Sequence, residues 1–138
     1  MKKLLYKFLL IFSIIFLAKF SFAETLDIKP MGAVNDYAGV LSNETKITLS
    51  KLSEVLDKKI GCQIVTAIIS STEGLSIEEF AVKLFASWGI GEKGKDRGVL
   101  LLVTINDKKI KIEVGYGLEG VLPDGLCGEI IRQTIVPY

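Results

Sequence analysis

Eight consecutive residues, Gly98-Val-Leu-Leu-Leu-Val-Thr-Ile105, carry no charge and do not alternate between wet and dry side chains. A strand with one solvated face alternates at period two. A short run that is apolar on both faces belongs in the middle of a sheet with a layer on each side. The next run, Lys109-Ile-Lys-Ile-Glu-Val114, does alternate, so one of its faces is wetter and it lies nearer an edge. Asn106-Asp107 supplies the turn of the resulting hairpin. Two glycine-rich loops flank it: Trp88-Gly-Ile-Gly-Glu-Lys-Gly-Lys-Asp-Arg97 before, and Gly115-Tyr-Gly-Leu-Glu-Gly-Val-Leu-Pro-Asp-Gly125 after. Both bear carboxylates, and function is expected in them.

Of the 138 residues, with a net charge of +1, the first 23 hold four lysines and no acid, so the other 115 carry −3. Phosphate neutralisation needs clustered Lys and Arg, which excludes nucleic acid as the expected partner. Residues 1–23 read as a secretory signal: Lys2 and Lys3, an apolar stretch from Leu4 to Ala18 broken by Lys7, and Ser21-Phe22-Ala23 as a small-x-small cleavage site. The uninterrupted run from Phe8 to Ala18 is short for a helix that must cross roughly 30 Å of hydrocarbon. Export with cleavage is therefore expected over an uncleaved anchor, giving a periplasmic or secreted protein, with membrane association as the variant. The remainder has the size of one domain. Cys62 and Cys127 lie in different elements, and an oxidising destination leaves two readings open, a disulfide or two buried thiols.

Residues 24–33 form an extended leader, and the domain is expected over residues 34–138. Val34 to Leu41 leads into a helix capped by Ser42, with Glu44 in its first turn and Gly61 at its end. Leu49, Leu52, Val55 and Leu56 recur at helical spacing and predict its core-facing stripe. Cys62 to Ile69 is short and β-branched, a buried strand. Ser76-Ile-Glu-Glu79 has capping-box spacing with Leu75 and Phe80 as a staple, and Ile77, Phe80, Ala81, Leu84, Phe85 and Trp88 continue a helix that Gly89 closes. Trp88 reads as packing rather than a ligand platform. Asp124 caps a last helix through Leu126, Ile130, Ile131 and Ile135, stopped by Pro137. The order α-β-α-β-β-α predicts an α/β layered domain with the sheet covered on both sides.

Two glycine patterns imitate nucleotide sites. Gly89-Ile-Gly-Glu-Lys-Gly-Lys95 fills the first seven places of a P-loop, but Asp96 replaces the magnesium-binding hydroxyl and the segment follows a helix instead of a strand. Gly115-Tyr-Gly-Leu-Glu-Gly120 follows a strand, yet Val121-Leu-Pro123 delays the helix that should meet a pyrophosphate. Glycines for a tight irregular turn are the better reading.

The chain has no histidine, which removes Ser-His-Asp and Cys-His catalysis and histidine zinc sites. Carboxylates remain. Asp36, Asp96, Glu119 and Asp124 each sit in a turn or at an element end, where loops can converge oxygens on a hard cation. As turn or cap residues, Asp36 and Asp124 need no ion, and Asp96 between Lys95 and Arg97 can equally be a solvated charge.

Three segments together, Val34-Asn-Asp-Tyr-Ala-Gly-Val-Leu-Ser42, Trp88-Gly-Ile-Gly through Val103, and Lys111-Ile-Glu-Val-Gly-Tyr-Gly-Leu-Glu-Gly through Asp124, give the chain its family likeness. It resembles the TPM domain family of bacterial exported or membrane-anchored proteins and of the thylakoid-lumen acid phosphatase. The resemblance implies a three-layer αβα sandwich with a Rossmann-like mixed sheet and a divalent cation, calcium first and magnesium second, in loops at one end of the sheet. It implies Asp36, Asp96, Glu119 and Asp124 as the metal positions. Arg97 departs from the asparagine common there, and the chain stops at Tyr138 where relatives continue through another helical segment, so a C-terminal truncation is expected. Two functions follow as expectations. One is a cation-binding module that docks on an envelope or membrane protein complex. The other is a metal-dependent acid phosphatase acting on a phosphorylated substrate, with Asp96 and Arg97 as its catalytic residues.

Overall fold

The computed structural model of the protein describes residue 1 and residues 26–92 and 95–136. The expected signal segment, Met1 apart, lies outside them. The elements are β1 (Val34–Asp36), α1 (Asn43–Ile60), β2 (Gln63–Ile69), α2 (Ile77–Ser87), β3 (Gly98–Thr104), β4 (Lys109–Val114), a 3-10 turn at Tyr116–Leu118, and α3 (Asp124–Ile130) running into a π turn over Ile131–Ile135. The order therefore begins with a strand that sequence reading took as a lead-in. At three residues, β1 is too short for alternation to reveal it.

The strands lie in the order β1-β2-β3-β4, the first three parallel and β4 antiparallel. β3 is paired along its full length on both sides, from Gln63↔Gly98 to Ile69↔Thr104 with β2 and from Val99↔Val114 to Thr104↔Lys109 with β4. Its double-sided apolarity follows from that position. Leu100 and Leu102 are fully buried and join Val65, Ala67 and the α2 residues Phe80 and Leu84 in one core cluster. Val99 and Ile112, on the opposite face, join Leu118 and Cys127, with Leu122, Ile130 and Ile131 packed around them. Helices on both faces of a mixed sheet make this a three-layer α/β sandwich.

Local chemistry places the helices. The Ser76 hydroxyl accepts the Glu79 amide at 3.1 Å to start α2, and Gly89, at φ 60°, turns the chain away at its end. The Trp88 indole donates to the Ile28 carbonyl at 2.6 Å, while Leu26 and Ile28 pack on the core. The leader thus forms part of the α2 layer. Ser42 caps α1 by accepting the Thr45 amide at 3.1 Å, and Gly61 closes it in a left-handed conformation.

The expected core stripe of α1 is overturned. Leu52 and Val55 are 54% and 43% exposed, and the buried residue of the helix is Ser53. The periodicity was sufficient to predict a helix but not its roll about its own axis: a small serine faces inward, and the apolar stripe meets the protein only along one border. Both cysteines are free and buried in the same apolar cluster, and burial pushes both thiols above their ordinary pKa. Of the two readings, the structure has thiols.

The contrast between helices is measurable. Leu84→Ala, at a fully buried position, should cost about 2–5 kcal/mol in urea unfolding, whereas Leu52→Ala should cost less than about 1 kcal/mol because that side chain is already mostly in water.

Candidate functional site

At the foot of β3 the two glycine-rich loops close on each other, backbone against backbone. A Cβ on Gly91 would stand 2.4 Å from the Gly98 nitrogen, one on Gly115 2.3 Å from the Asp96 carbonyl oxygen, and one on Gly117 2.2 Å from the Lys95 carbonyl oxygen. The Gly117 amide donates to the Asp96 carbonyl at 3.0 Å and the Gly115 amide to the Gly98 carbonyl at 2.8 Å. Lys95 and Asp96 both take left-handed backbone angles, φ 57° and 58°, to present those carbonyls. Gly91 of the first nucleotide-like pattern and Gly115 and Gly117 of the second thus serve chain-to-chain contact, in keeping with the turn reading.

The carboxylates divide between the two ends of the sheet. Asp36 is level with Ile68 of β2 and Val103 of β3, roughly 17 Å along the strand from Gly98, where the Asp96 loop ends. Its side chain is 1% exposed and pairs with Lys46 at 3.3 Å. It also accepts the amides of Leu41 at 2.9 Å and Val40 at 3.2 Å. Burial raises its pKa, but the two amides and the Lys46 ammonium outweigh that and hold it below the ordinary aspartate value. Asp36 is a turn cap that holds the start of α1 to the sheet.

At the other end, Glu119 and Asp124 line an open cavity of about 370 Å³ together with Lys111, Glu113 and Leu122. Sequence reading missed Glu113. The available signal was the alternation of β4, which puts Lys111 and Glu113 on one face of a strand leading straight into the loop. Burial pushes the Glu113 carboxyl upward, Lys111 draws it down, and Asp124 and Glu119 add to the rise. Asp96 is exposed beside this end, its carbonyl bonded to the second loop. Arg97 donates through Nε to the Gly61 carbonyl at 3.3 Å and through Nη2 to the Ile60 carbonyl at 3.2 Å. It covers the carbonyls that end α1, a role in which a cation also meets the negative end of the helix dipole.

Tested against a divalent cation, the set of four does not fit one ion. Asp36 is at the far end of the sheet with its oxygens engaged, and among the described residues no three His, Cys, Asp or Glu side chains converge closely enough to hold a metal. Glu113, Glu119 and Asp124 supply the hard oxygens such an ion prefers and repel one another around one cavity, but as placed they are not a ligand shell.

These features define a class: a small α/β sandwich whose two glycine-rich loops are sealed together beneath a mixed sheet, beside an acidic cavity. The TPM domain model matches residues 34–138, and the chain belongs to the TPM domain family. Among solved structures it is similar to the solution NMR structure of the N-terminal domain of a protein from P. gingivalis. The two share 31% identity at a TM-score of 0.71, over 76% of this chain and 67% of that one. No curated protein matches the chain.

Two outcomes follow. Gly117→Ala must displace the Lys95 carbonyl and should cost about 1–3 kcal/mol in chemical unfolding. Because the folded pKa of Asp36 is lowered, the stability it contributes is complete above the ordinary aspartate range and is lost as pH falls through the lowered value. Unfolding midpoints measured down through the acid range should therefore fall less steeply for Asp36→Asn than for the parent chain.

Proposed function

We propose that this TPM domain is a binding module whose working surface is the loop end of the sheet, around Tyr116, Val121, Glu119 and Asp124, and that its partner is a protein of the cell envelope. One observation carries the reading. Tyr116 and Val121 are 81% and 71% exposed on a loop that glycine contacts lock to its neighbour, beside three carboxylates. Large apolar groups held out in water on a rigid loop, rimmed by charge, suit recognition of an apolar and basic surface. A divalent cation, calcium before magnesium, belongs to this reading only if Glu113, Glu119 and Asp124 draw together around it, since as they stand they are not a ligand shell.

The hydrolase takes second place. The cation it would use to grip phosphate, Arg97, is engaged with the carbonyls of Ile60 and Gly61, and the Asp96 loop is occupied in backbone contact.

Photo-crosslinking in cells tests the docking surface. A reactive side chain at position 116 or 121 should capture the same envelope protein, and one at the exposed Val82 of α2 should not; equal capture from all three positions sinks the proposal. In calorimetry with calcium, Glu119→Gln and Asp124→Asn should weaken binding about tenfold or more, while Asp36→Asn should leave it unchanged. Loss on Asp36→Asn alone would move the ion to the opposite end.

A further inference from the structure

β4 is the last strand of the sheet, and its register fixes which of its backbone groups face outward. The Gly115 amide bonds to the Gly98 carbonyl, so in an antiparallel ladder Lys109, Lys111 and Glu113 point their amides and carbonyls toward β3. Ile110, Ile112 and Val114 point theirs away. Among the described residues no group is bonded to these outward amides and carbonyls. An exposed strand edge is a template for another strand, and proteins commonly discourage that with lysines.

The lysines of this edge act selectively. If a second copy of β4 is laid antiparallel about Ile112, Ile110 falls opposite Val114, and Lys111 falls opposite Glu113 at both symmetry-related places. Ile112 meets its own twin in a pair that exchanges both backbone bonds. The Lys111 and Glu113 pairs are then the closely spaced, non-hydrogen-bonded kind in which side chains approach most. Centring on Lys111 instead would set Lys109 opposite Glu113 but oppose the two Lys111 side chains, whereas the register about Ile112 has no like-charge pair and is the one charge favours. That register also delivers a lysine to Glu113, which in the single chain has Asp124 and Glu119 for neighbours as well as its own Lys111.

We propose that β4 is a self-association edge: two copies of this chain join antiparallel through Ile110, Ile112 and Val114, with Lys111 of each copy paired to Glu113 of the other, extending one sheet across both. A single strand pair makes a small interface, so the dimer is weak and concentration-dependent. The proposal shares Glu113 with the cation reading and borders the same cavity, so it is tested in chelator, where its failure leaves the docking and cation readings standing.

Sedimentation of the purified chain from micromolar to millimolar concentration should show a monomer passing to a dimer. Lys111→Glu and Glu113→Lys each oppose like charges twice and should weaken dimerisation about tenfold or more. The double variant Lys111→Glu with Glu113→Lys restores opposite charges and should return the constant to within about threefold of the parent. In the parent chain, hydrogen exchange at Ile110, Ile112 and Val114 should slow as concentration rises, which reads the same contact without any substitution. A chain that stays monomeric at millimolar concentration overturns the proposal. So does a dimer whose constant neither reversal changes, or one that leaves exchange at the three amides untouched.

Discussion

The fold depends on a close approach between two stretches of backbone. At the foot of β3, Gly91, Gly115 and Gly117 meet the Lys95 to Gly98 segment, and Gly98 meets Gly91 in return, at separations where any Cβ would collide. The contact joins the chain entering the central strand to the chain leaving β4, which are neighbours in space because the hairpin returns to its own origin. With that end closed, β3 can be buried on both faces and paired on both edges, and both core clusters can form around it. The left-handed angles of Lys95 and Asp96 are conformations that non-glycine residues seldom adopt, and the hydrogen bond into the Asp96 carbonyl offsets part of their cost.

Much of this was legible in the residues. The uncharged run at Gly98 could only be a central strand, and Ser76 with Gly89 bounded α2 by cap chemistry that acts locally. The P-loop and dinucleotide patterns failed on context, and the structure gives their glycines another purpose. Less legible was anything set by how elements lie against each other. The roll of α1 exposes Leu52 and buries Ser53, a choice made by the strand surface beneath it. The three-residue β1 exists because β2 offers it an edge, and no periodicity within Val34–Asp36 records that.

The candidate site shows the same division. Composition and loop position singled out carboxylates in turns and at element ends, yet Asp36 and Asp96 belong to opposite ends of the sheet. Asp36 follows the end of its strand whereas Asp96 precedes the start of its own. In parallel strands those are different ends, a deduction available only once β1 is known to be a strand parallel to β2. Glu113 was hidden by the opposite error. It sits within a strand and not in a loop, and its neighbours Glu119 and Asp124 reach it through the fold.

The bond from Trp88 to the Ile28 carbonyl, with Leu26 and Ile28 laid on the core, anchors the chain's entry into the domain on the α2 side of the sheet. Were the domain tethered at its amino end, this point of entry would set which face looks toward the bilayer. The domain's reach and tilt above a surface would then be dictated by an indole and one carbonyl oxygen.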